Sequence, residues 1–413
     1  MLIFRVIFTL MISLSGHAMM DIELTRGYVG NIHIQVQDGQ PHDSIAKKFR
    51  ELFVRDMETS GRISVVPQSS KTTAISDYQV VFSHEIMADG YHKTCMQVGV
   101  VDRSLSNTAA SKCLTYHTAD WVPQVHRFSA MLYQDLIGQK GIFLKKLVYV
   151  RELKSVSQAG THSYQLEVSD FDGGGARTLL YSKEPIMSPV FSPDGSQILY
   201  VSYEHHRSQL MLYHLNTGKS EVLTDYPGVN GAPSWSPDGK RVALSLSLSG
   251  VVQVYVMDVK SKELQKISKG WFIETDPVWT SNQDELLFVS NRGMGVQIYR
   301  VSLSTGSIKR LTYHGSYNVS PSLSSDGQKM VFLSRVGHKL GVVLYHEAEK
   351  TLAHIGGKDV DESPVISKDG EYVLFGSLIS GRRFLMVKSL STGLVHRVAN
   401  DAGDIKYASW SHD

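Results

Sequence analysis

The second half of the chain repeats one pattern of hydrophobic and polar residues at a nearly constant interval. The stretch NGAPSWSPDGKRVALSLS, residues 230–247, contains a short apolar segment, a Ser-Pro-Asp-Gly turn, and then apolar residues that alternate with small polar ones. Proline presets φ at the first corner of a tight turn, aspartate bonds its own backbone, and glycine accepts the positive φ that follows. The pattern predicts two strands joined by a tight turn.

Five complete copies of this pattern carry a proline before the turn. These prolines recur every 43 or 44 residues, at positions Pro189, Pro233, Pro277, Pro321 and Pro364. Each copy also contains two further apolar segments of strand length. Four short strands in about 44 residues is the size of one β-propeller blade.

A sixth copy, residues 407–411, contains only the first strand of the pattern. The three missing strands match residues 147–150, 164–168 and 177–180, which no proline motif precedes. We therefore expect the carboxyl-terminal strand to pair with residues 147–150 and to close a ring of six blades. Such a closure removes the free sheet edges that invite aggregation.

Residues 19–141 follow different periodicities. Apolar residues at helical spacing predict one amphipathic helix from Asp43 to Gly61 and a second over residues 122–137. Strands are predicted at residues 31–37, 62–67, 78–87, 91–101 and 111–118. The predicted fold is an α/β domain at residues 19–141, with its helices on one side of a mixed sheet, followed by an all-β six-bladed propeller at residues 142–413.

The first eighteen residues have the composition of a secretory signal peptide. Arg5 supplies the charged start, residues 6–14 are apolar, and small residues follow at positions 16 and 18. The apolar run is too short for a stable membrane span, although an uncleaved anchor is the alternative. The expectation is a mature protein outside the cytoplasm, without direct membrane insertion.

The two cysteines lie on two predicted strands of one hairpin. Cys95 and Cys113 are equidistant from Ser104, inside the turn between residues 102 and 107, so an antiparallel pairing places them opposite each other. An oxidising compartment permits a disulfide there. Two unpaired buried thiols are the alternative, because the sequence does not fix the register to one residue.

Charge and motifs restrict the possible functions. The 42 basic and 40 acidic residues give a net charge of +2, without the basic surplus that a nucleic-acid footprint requires. The sequence has no nucleophile elbow, paired zinc histidines or phosphate loop. Asp170-Phe171-Asp172-Gly173 is similar to the start of a calcium loop, but no acidic series follows it, so a hairpin turn is predicted. No metal or cofactor is expected, and the pattern favours a binding protein.

With its signal peptide, small α/β domain and Ser-Pro-Asp-Gly propeller, the chain resembles the TolB family, periplasmic components of the Tol-Pal system of Gram-negative bacteria. The stretches that carry the resemblance are YQLEVSDFDGGG (164–175), EPIMSPVFSPDGSQILYVSYE (184–204), residues 230–247, VYVMDVKSKELQKIS (254–268) and KYASWS (406–411).

The resemblance implies two partners, with other envelope proteins as further candidates, and an adaptor role in outer-membrane integrity and constriction at cell division. The peptidoglycan-associated lipoprotein Pal would dock over one mouth of the propeller, and the inner-membrane protein TolA would engage an arm after the signal peptide. The Pal-facing residues are expected in loops that lead into the innermost strands and present exposed side chains: Asn230, Gly231, Ala232, Thr275, Asp276, Asn318, Ser320, Asp361, Glu362, Ser363, Lys406 and Tyr407. The arm would consist of Met19, Met20, Asp21, Ile22, Glu23, Leu24, Thr25 and Arg26.

Two alternatives remain open from the sequence. The arm residues also fit the first strand of the α/β domain, and a switch between the two states would require them to differ by only a few kcal/mol. A periplasmic hydrolase or lyase that works in the propeller channel would need convergent acids, histidines or a metal, and the innermost strands are almost without ionisable groups. A closed propeller predicts a monomer.

Overall fold

A computed structural model describes residues 32–38, 44–67, 76–101, 111–154, 162–336, 339–356, 361–398 and 403–412. The predicted signal peptide, residues 1–18, and the predicted arm, residues 19–26, lie outside these residues. Within the described part, neither helix combines the length and apolar content that crossing a bilayer requires.

The amino-terminal region is built on one mixed five-stranded sheet. Its strands are β1 (Ile32–Asp38), β2 (Ile63–Val65), β3 (Tyr78–Ile86), β4 (Tyr91–Val100) and β5 (Lys112–His117), in the order β2-β1-β3-β4-β5. Strand β1 runs parallel to β2 and β3, and the remaining pairs are antiparallel. The mixed sheet of the prediction is confirmed.

Two amphipathic helices pack on this sheet, α1 (Ser44–Thr59) and α2 (Trp121–Ile137). Phe49 and Phe53 of α1 and Phe128 of α2 are fully buried and pack against Phe82 of β3. Helix α2 ends at Gly138, whose φ of 75° is the left-handed conformation that stops a helix. The apolar stripes thus form the core of the domain rather than a recognition surface.

The cysteine hairpin has the expected register. Cys95 of β4 pairs with Cys113 of β5, and their sulfurs form a disulfide. The bond therefore ties the last two strands of the sheet to each other.

Six four-stranded sheets follow, and we number them as blades. Blade 1 comprises β9 (Ile186–Phe191), β10 (Gln197–Ser202), β11 (Gln209–His214) and β12 (Lys219–Thr224). Blade 2 comprises β13 (Asn230–Trp235), β14 (Arg241–Leu246), β15 (Gln253–Asp258) and β16 (Leu264–Lys266). Blade 3 comprises β17 (Glu274–Trp279), β18 (Glu285–Gly293), β19 (Gly295–Ser302) and β20 (Ile308–Arg310). Blade 4 comprises β21 (Asn318–Leu323), β22 (Lys329–Val336), β23 (Lys339–His346) and β24 (Thr351–His354). Blade 5 comprises β25 (Asp361–Ile366), β26 (Tyr372–Ile379), β27 (Arg382–Ser389) and β28 (Val395–Arg397).

Blade 6 takes its strands from both ends of the repeat region. It comprises β6 (Lys146–Lys154), β7 (His162–Asp170), β8 (Arg177–Ser182) and β29 (Asp404–Trp410). Strand β29 pairs antiparallel with β6, with Lys406 opposite Val150 and Trp410 opposite Leu147. The closing strand is therefore the carboxyl-terminal one, as the sequence predicts, and the six-bladed propeller is confirmed.

The innermost strands begin earlier than the sequence predicts. Residues such as Asn230 and Gly231, expected in a loop, already pair with Leu246 and Ser245 of β14. The register then shifts before Ser234, so that one extra residue is accommodated beside the proline. Proline cannot donate a ladder hydrogen bond, and a β-bulge is the usual way to keep it within a strand. The sequence predicts the strand start at the proline, because the local pattern of residues does not show the bulge.

The two domains share one hydrophobic core. Phe143, between α2 and β6, and Phe171, in the β7–β8 turn, pack against α2 and against each other. Trp410 of β29 belongs to the same buried cluster. The amino-terminal domain is thus packed on blades 5 and 6 rather than merely tethered to them.

A buried polar network also crosses this domain interface. His126 Nδ1 of α2 donates to Asp56 Oδ2 of α1 at 2.8 Å, and Ser129 Oγ donates to the same oxygen at 2.7 Å. From the β7–β8 turn, Asp170 Oδ2 lies 3.7 Å from His126 Nε2. Asp172 in the same turn accepts from Arg55 of α1 at 2.5 Å.

Burial and the neighbouring charges change the pKa values of Asp56 and His126. Burial raises the pKa of Asp56, against the hydrogen bond from His126. Burial also opposes the charge on His126, but its bond to Asp56 and the neighbouring Asp172 and Asp170 leave the pKa of the imidazole raised. A proton shared between Asp56 and His126 is therefore held firmly in the folded protein.

Candidate partner-binding site at the mouth of the propeller

The innermost strands of the six blades surround a central channel. We call the end at which these strands begin the upper mouth, and the end with the Ser-Pro-Asp-Gly turns the lower mouth. A cavity of about 250 Å³ lies in the channel, and the prolines of the repeat line it. The proline-containing motif that repeats in the sequence therefore lies on the wall of the channel.

The predicted Pal-facing residues all lie on innermost strands, near the upper mouth. They are distributed over β13 (Asn230, Gly231, Ala232), β17 (Thr275, Asp276), β21 (Asn318, Ser320), β25 (Asp361, Glu362, Ser363) and β29 (Lys406, Tyr407). The structure thus brings residues from five blades to one end of the propeller, although in strands rather than in loops.

The expectation of exposed side chains is wrong for Asn230 and Asn318, which are 0% and 1% exposed. The Asn230 amide donates to the carbonyl oxygens of Tyr226 at 2.6 Å and Ser208 at 3.0 Å, and its oxygen accepts from Tyr226 N at 3.1 Å. The Asn318 amide likewise donates to Gln297 Oε1 at 2.9 Å and His314 O at 2.8 Å. Both asparagines satisfy buried backbone groups of the preceding loop, because such groups need a partner once water is excluded.

The same strand position, three residues before the proline, holds a buried acid in blade 3, where Glu274 is fully buried and pairs with Arg292. In blades 1 and 6 this position holds the buried Ile186 and Ile405, and Asp404, one residue before Ile405, accepts from Arg383 N at 3.0 Å. Asn230, Glu274 and Asn318 are therefore polar anchors for the mouth loops. The side chain of Asp361, which begins β25, lies outside the described part.

The residue before each proline adopts a left-handed backbone. This holds for Ser188 (φ 50°), Ala232 (47°), Asp276 (50°), Ser320 (53°), Ser363 (47°) and, before Ala408, Tyr407 (48°). Side chains other than glycine adopt this conformation at a cost of about 1–2 kcal/mol. All six residues line the channel cavity, so the bulge turns one side chain per blade toward the axis.

Asp276 is the single carboxylate among the described residues that line the channel cavity. Burial raises its pKa, and its Oδ2 accepts from Ser320 N at 3.2 Å, which favours the ionised form. Glycoside hydrolysis by general acid and base uses a pair of carboxyl groups. One acid on this wall does not supply such a pair.

Charged residues at the upper mouth are already engaged with neighbours. Glu362 Oε1 accepts from Arg383 Nη2 at 3.0 Å, and Lys406 Nζ lies 2.5 Å from Glu152 Oε2. The pKa of Glu152 is lowered, because the bonds from Lys406 and His162 outweigh its burial. Thr275 and Gly231, which lie between the anchors and the left-handed residues, are half-buried and uncharged.

The structure adds an apolar rim that the sequence prediction missed. Trp271, Phe272 and Ile273 precede β17 and are 79%, 38% and 52% exposed, and Met294 in the β18–β19 turn is 90% exposed. All four project at the upper mouth of blade 3. The stretch GWFI at residues 270–273 is the sequence feature that indicates this rim, because three large apolar residues in a turn cannot all pack into a core. Clustered exposed apolar residues mark interaction sites.

A separate group of possible metal ligands, Asp56, His126 and Asp172, lies at the domain interface, with ligand atoms within 4.8 Å of one another. Protein partners already bond atoms of all three: Asp56 binds His126 and Ser129, and Asp172 binds Arg55 and the Gly174 backbone. The group is an ion-pair network in this geometry, and we assign no ion to it.

Comparison with known proteins agrees with this architecture. The family profile of the TolB β-propeller domain matches residues 133–413. The chain is 34% identical over 290 residues to the Tol-Pal system protein TolB of Ruthia magnifica subsp. Calyptogena magnifica, covering 70% of this chain and 68% of that protein.

Two further relatives cover nearly the whole chain. The Tol-Pal system protein TolB of Francisella tularensis subsp. tularensis (strain WY96-3418) is 27% identical over 394 residues, which span 89% of this chain and 88% of that one. The crystal structure of TolB from Acinetobacter baumannii superposes with a TM-score of 0.83 at 27% identity, over 93% of this chain and 97% of that chain. The chain belongs to the TolB family.

Proposed function

We propose that this protein is a non-catalytic adaptor of the Tol-Pal envelope complex. It binds the lipoprotein Pal at the upper mouth of the propeller and TolA through residues 19–26, and so supports outer-membrane integrity and constriction at cell division. The observation that carries the proposal is the upper mouth itself, where a closed ring of blades presents half-buried uncharged residues beside an exposed apolar rim. Membership in the TolB family, with relatives named as Tol-Pal system proteins, supports partners within that system.

The chemistry of the rim supports a protein partner. Tryptophan, phenylalanine and methionine are enriched at the centres of protein interfaces, and a few such residues carry most of the binding free energy. Trp271 and Met294 are among the most exposed large apolar side chains of the described residues. Arg292 lies 5.4 Å from the Phe272 ring centre and pairs with buried Glu274, which holds the rim in place.

A periplasmic location fits two features. The first eighteen residues have the pattern of a signal peptide, and the hairpin disulfide between Cys95 and Cys113 is stable in an oxidising compartment. The bond cross-links strands of the domain that would carry the TolA-binding arm.

The test of Pal binding uses residues 19–413, a soluble Pal domain and calorimetric titration. Thr275→Arg places a long cation on the half-buried wall between the anchors and the channel, and we expect at least about tenfold weaker binding. Trp271→Ala should weaken binding by a similar factor. Ser281→Arg is the matched control, since it adds the same side chain to the lower mouth of the same blade and should leave the affinity unchanged.

The arm is tested in the same protein by deleting residues 19–26. TolA binding should be lost while Pal binding persists. If the folded intact protein binds neither domain, or if Ser281→Arg and Thr275→Arg weaken Pal binding equally, the assignment of partner surfaces is wrong.

A further inference from the structure

A groove on the outer side of the propeller lies between blades 3 and 4. It encloses about 570 Å³ and runs along β20 of one blade and along β23 and β24 of the next. The central channel cavity, by comparison, holds about 250 Å³. The groove meets the predicted Pal-facing residues only at the buried Asn318, and none of the half-buried positions of the upper mouth lines it.

The groove is strongly basic in a chain whose total charge is nearly balanced. Lys309, Arg310, Arg335 and Lys350 line it, against one carboxylate, that of Glu347. Lys350 Nζ lies 2.8 Å from this carboxylate, so the acid is already engaged. Lys309, Arg310 and Arg335 therefore line the groove without a further carboxylate among its lining residues.

The two guanidinium groups are held in position by neighbours other than acids. Arg310 Nε donates to Thr312 O at 2.5 Å, and its guanidinium carbon lies 5.0 Å from the Tyr313 ring centre. The Arg335 guanidinium carbon lies 5.0 Å from the ring centre of Tyr317. Among the described residues no carboxylate lies within ion-pair distance of either group. A stacked guanidinium keeps a planar fork of donors that suits a carboxylate.

Apolar surface lies between these charges. Tyr313 is 66% exposed and Leu352 is 38% exposed, and Tyr345, opposite Leu352 on the neighbouring strand, is half-buried. Phe332 and Val343 form a buried floor. A ligand that fills the groove must therefore offer apolar groups as well as negative charge.

The walls of the groove favour an extended chain. Strands β20 and β24 are the outermost strands of their sheets, and all four residues of β24 are exposed. An outer strand leaves one edge without a ladder partner, which is the surface that an added strand uses. Successive side chains of an added strand face opposite ways. Acidic and apolar residues in alternation therefore meet the basic and the apolar parts of the groove.

We infer that this groove binds an extended acidic segment of a partner protein in which acidic and apolar residues alternate. The guanidinium groups of Arg310 and Arg335 bind its carboxylates, and Tyr313, Tyr345 and Leu352 receive its apolar side chains. A concave groove fits a chain better than it fits a membrane, which needs a protruding basic surface.

The test uses the full protein and a fluorescein-labelled peptide of about ten residues that alternates glutamate with leucine. Fluorescence anisotropy at low salt should report binding that weakens as salt is added. The double variant with Arg310→Glu and Arg335→Glu should bind at least about tenfold more weakly. Tyr313→Ala should weaken binding without changing the salt dependence.

Lys266→Glu is the matched control. Lys266 pairs with Tyr255 in blade 2 as Arg310 pairs with Tyr299 in blade 3, so it occupies the equivalent strand position outside the groove. Its variant should bind the peptide like the wild type.

Four results would overturn the inference. The first is no binding of the labelled peptide at about 100 μM wild-type protein, which corresponds to less than about 5.5 kcal/mol of binding free energy. The second is equal binding of a lysine–leucine peptide, and the third is equal loss in the Lys266→Glu control. Arginine-dependent capture of anionic lipid vesicles without peptide binding would also overturn it, in favour of a membrane surface.

Discussion

At the scale of single residues, one buried histidine lies at the centre of the polar contacts between the two domains. His126 is 2% exposed and lies between Asp56 of its own domain and Asp170 of the propeller turn. Arg55 pairs with Asp172 and Lys146 pairs with Asp170, so three carboxylates face two permanent cations and the imidazole. A protonated imidazole balances the charge of this network, which explains why its pKa is raised despite burial.

His126→Gln should therefore destabilise the protein by about 3 kcal/mol, because it leaves Asp56 as a buried charge without a cation. Adding Asp56→Asn removes that charge and should restore part of the loss. Urea unfolding of the wild type, both single variants and the double variant measures this coupling. Full additivity of the two single effects would show that the pair does not interact.

The pH dependence has a definite sign. A histidine whose pKa is raised on folding stabilises fully below its unfolded value, about 6.5, and the stabilisation disappears as pH rises through the folded value. The difference between wild type and His126→Gln should be largest near pH 6 and should shrink at higher pH. Comparing the two proteins removes the separate contribution of His396, whose pKa burial lowers to about 4. A difference that grows with rising pH would contradict this interpretation.

At the scale of elements, the β4–β5 hairpin is the part of the sheet that carries a covalent link. It lies at one side of the sheet, and Tyr91 and Val100 of β4 are 46% and 42% exposed, so few apolar contacts hold its ends. The disulfide joins residues 18 positions apart and limits the unfolded chain.

Replacing Cys95 and Cys113 together by serine should lower the free energy of unfolding by about 2–4 kcal/mol. Calorimetry with and without a reducing agent checks this, since reduced wild-type protein should melt like the variant. The variant itself is the control, because a reducing agent should not change its melting temperature. A free thiol signal in the purified wild-type protein would show that the cysteines are not bonded.

At the scale of the whole molecule, closure of the ring depends on the last strand. Ile405 and Trp410 of β29 are 1% and 4% exposed, and Trp410 Nε1 donates to Val365 O of blade 5 at 3.2 Å. Without β29, the edge of β6 is unpaired and the cores of blades 5 and 6 are open to water.

A chain that ends at residue 398 should fail to give a cooperatively folded monomer, as measured by size-exclusion chromatography and thermal unfolding. A synthetic peptide of residues 403–413 should restore folding by adding the missing strand. A chain that ends at residue 412 is the control and should behave like the full protein. A stable monomer that ends at residue 398 would show that closure is not required.

The sequence by itself determined the architecture because its signals are local and repeated. Turn residues at a constant spacing determine where the strands end. The sixth copy of the repeat has only its first strand, and its pairing with residues 147–150 closes the ring of blades. The register of Cys95 and Cys113 follows from turn position, and the apolar stripes of α1 and α2 follow from helical spacing. Each of these signals lies in a short stretch of residues, even where the strands that pair, as in the closure of the ring, are far apart in the chain.

Only the tertiary structure decided which side chains are available at the upper mouth. Asn230 and Asn318 read as exposed turn residues, but the bulge draws them into the strand, where buried carbonyl oxygens require their amides. Met294 reads as an ordinary apolar residue, yet it is 90% exposed among the described residues. Asp172 is 116 positions from Asp56 in the chain and meets Asp56 and His126 only because the two domains pack together. Burial depends on contacts between distant segments, and the local pattern that specifies a strand or a turn carries no information about them.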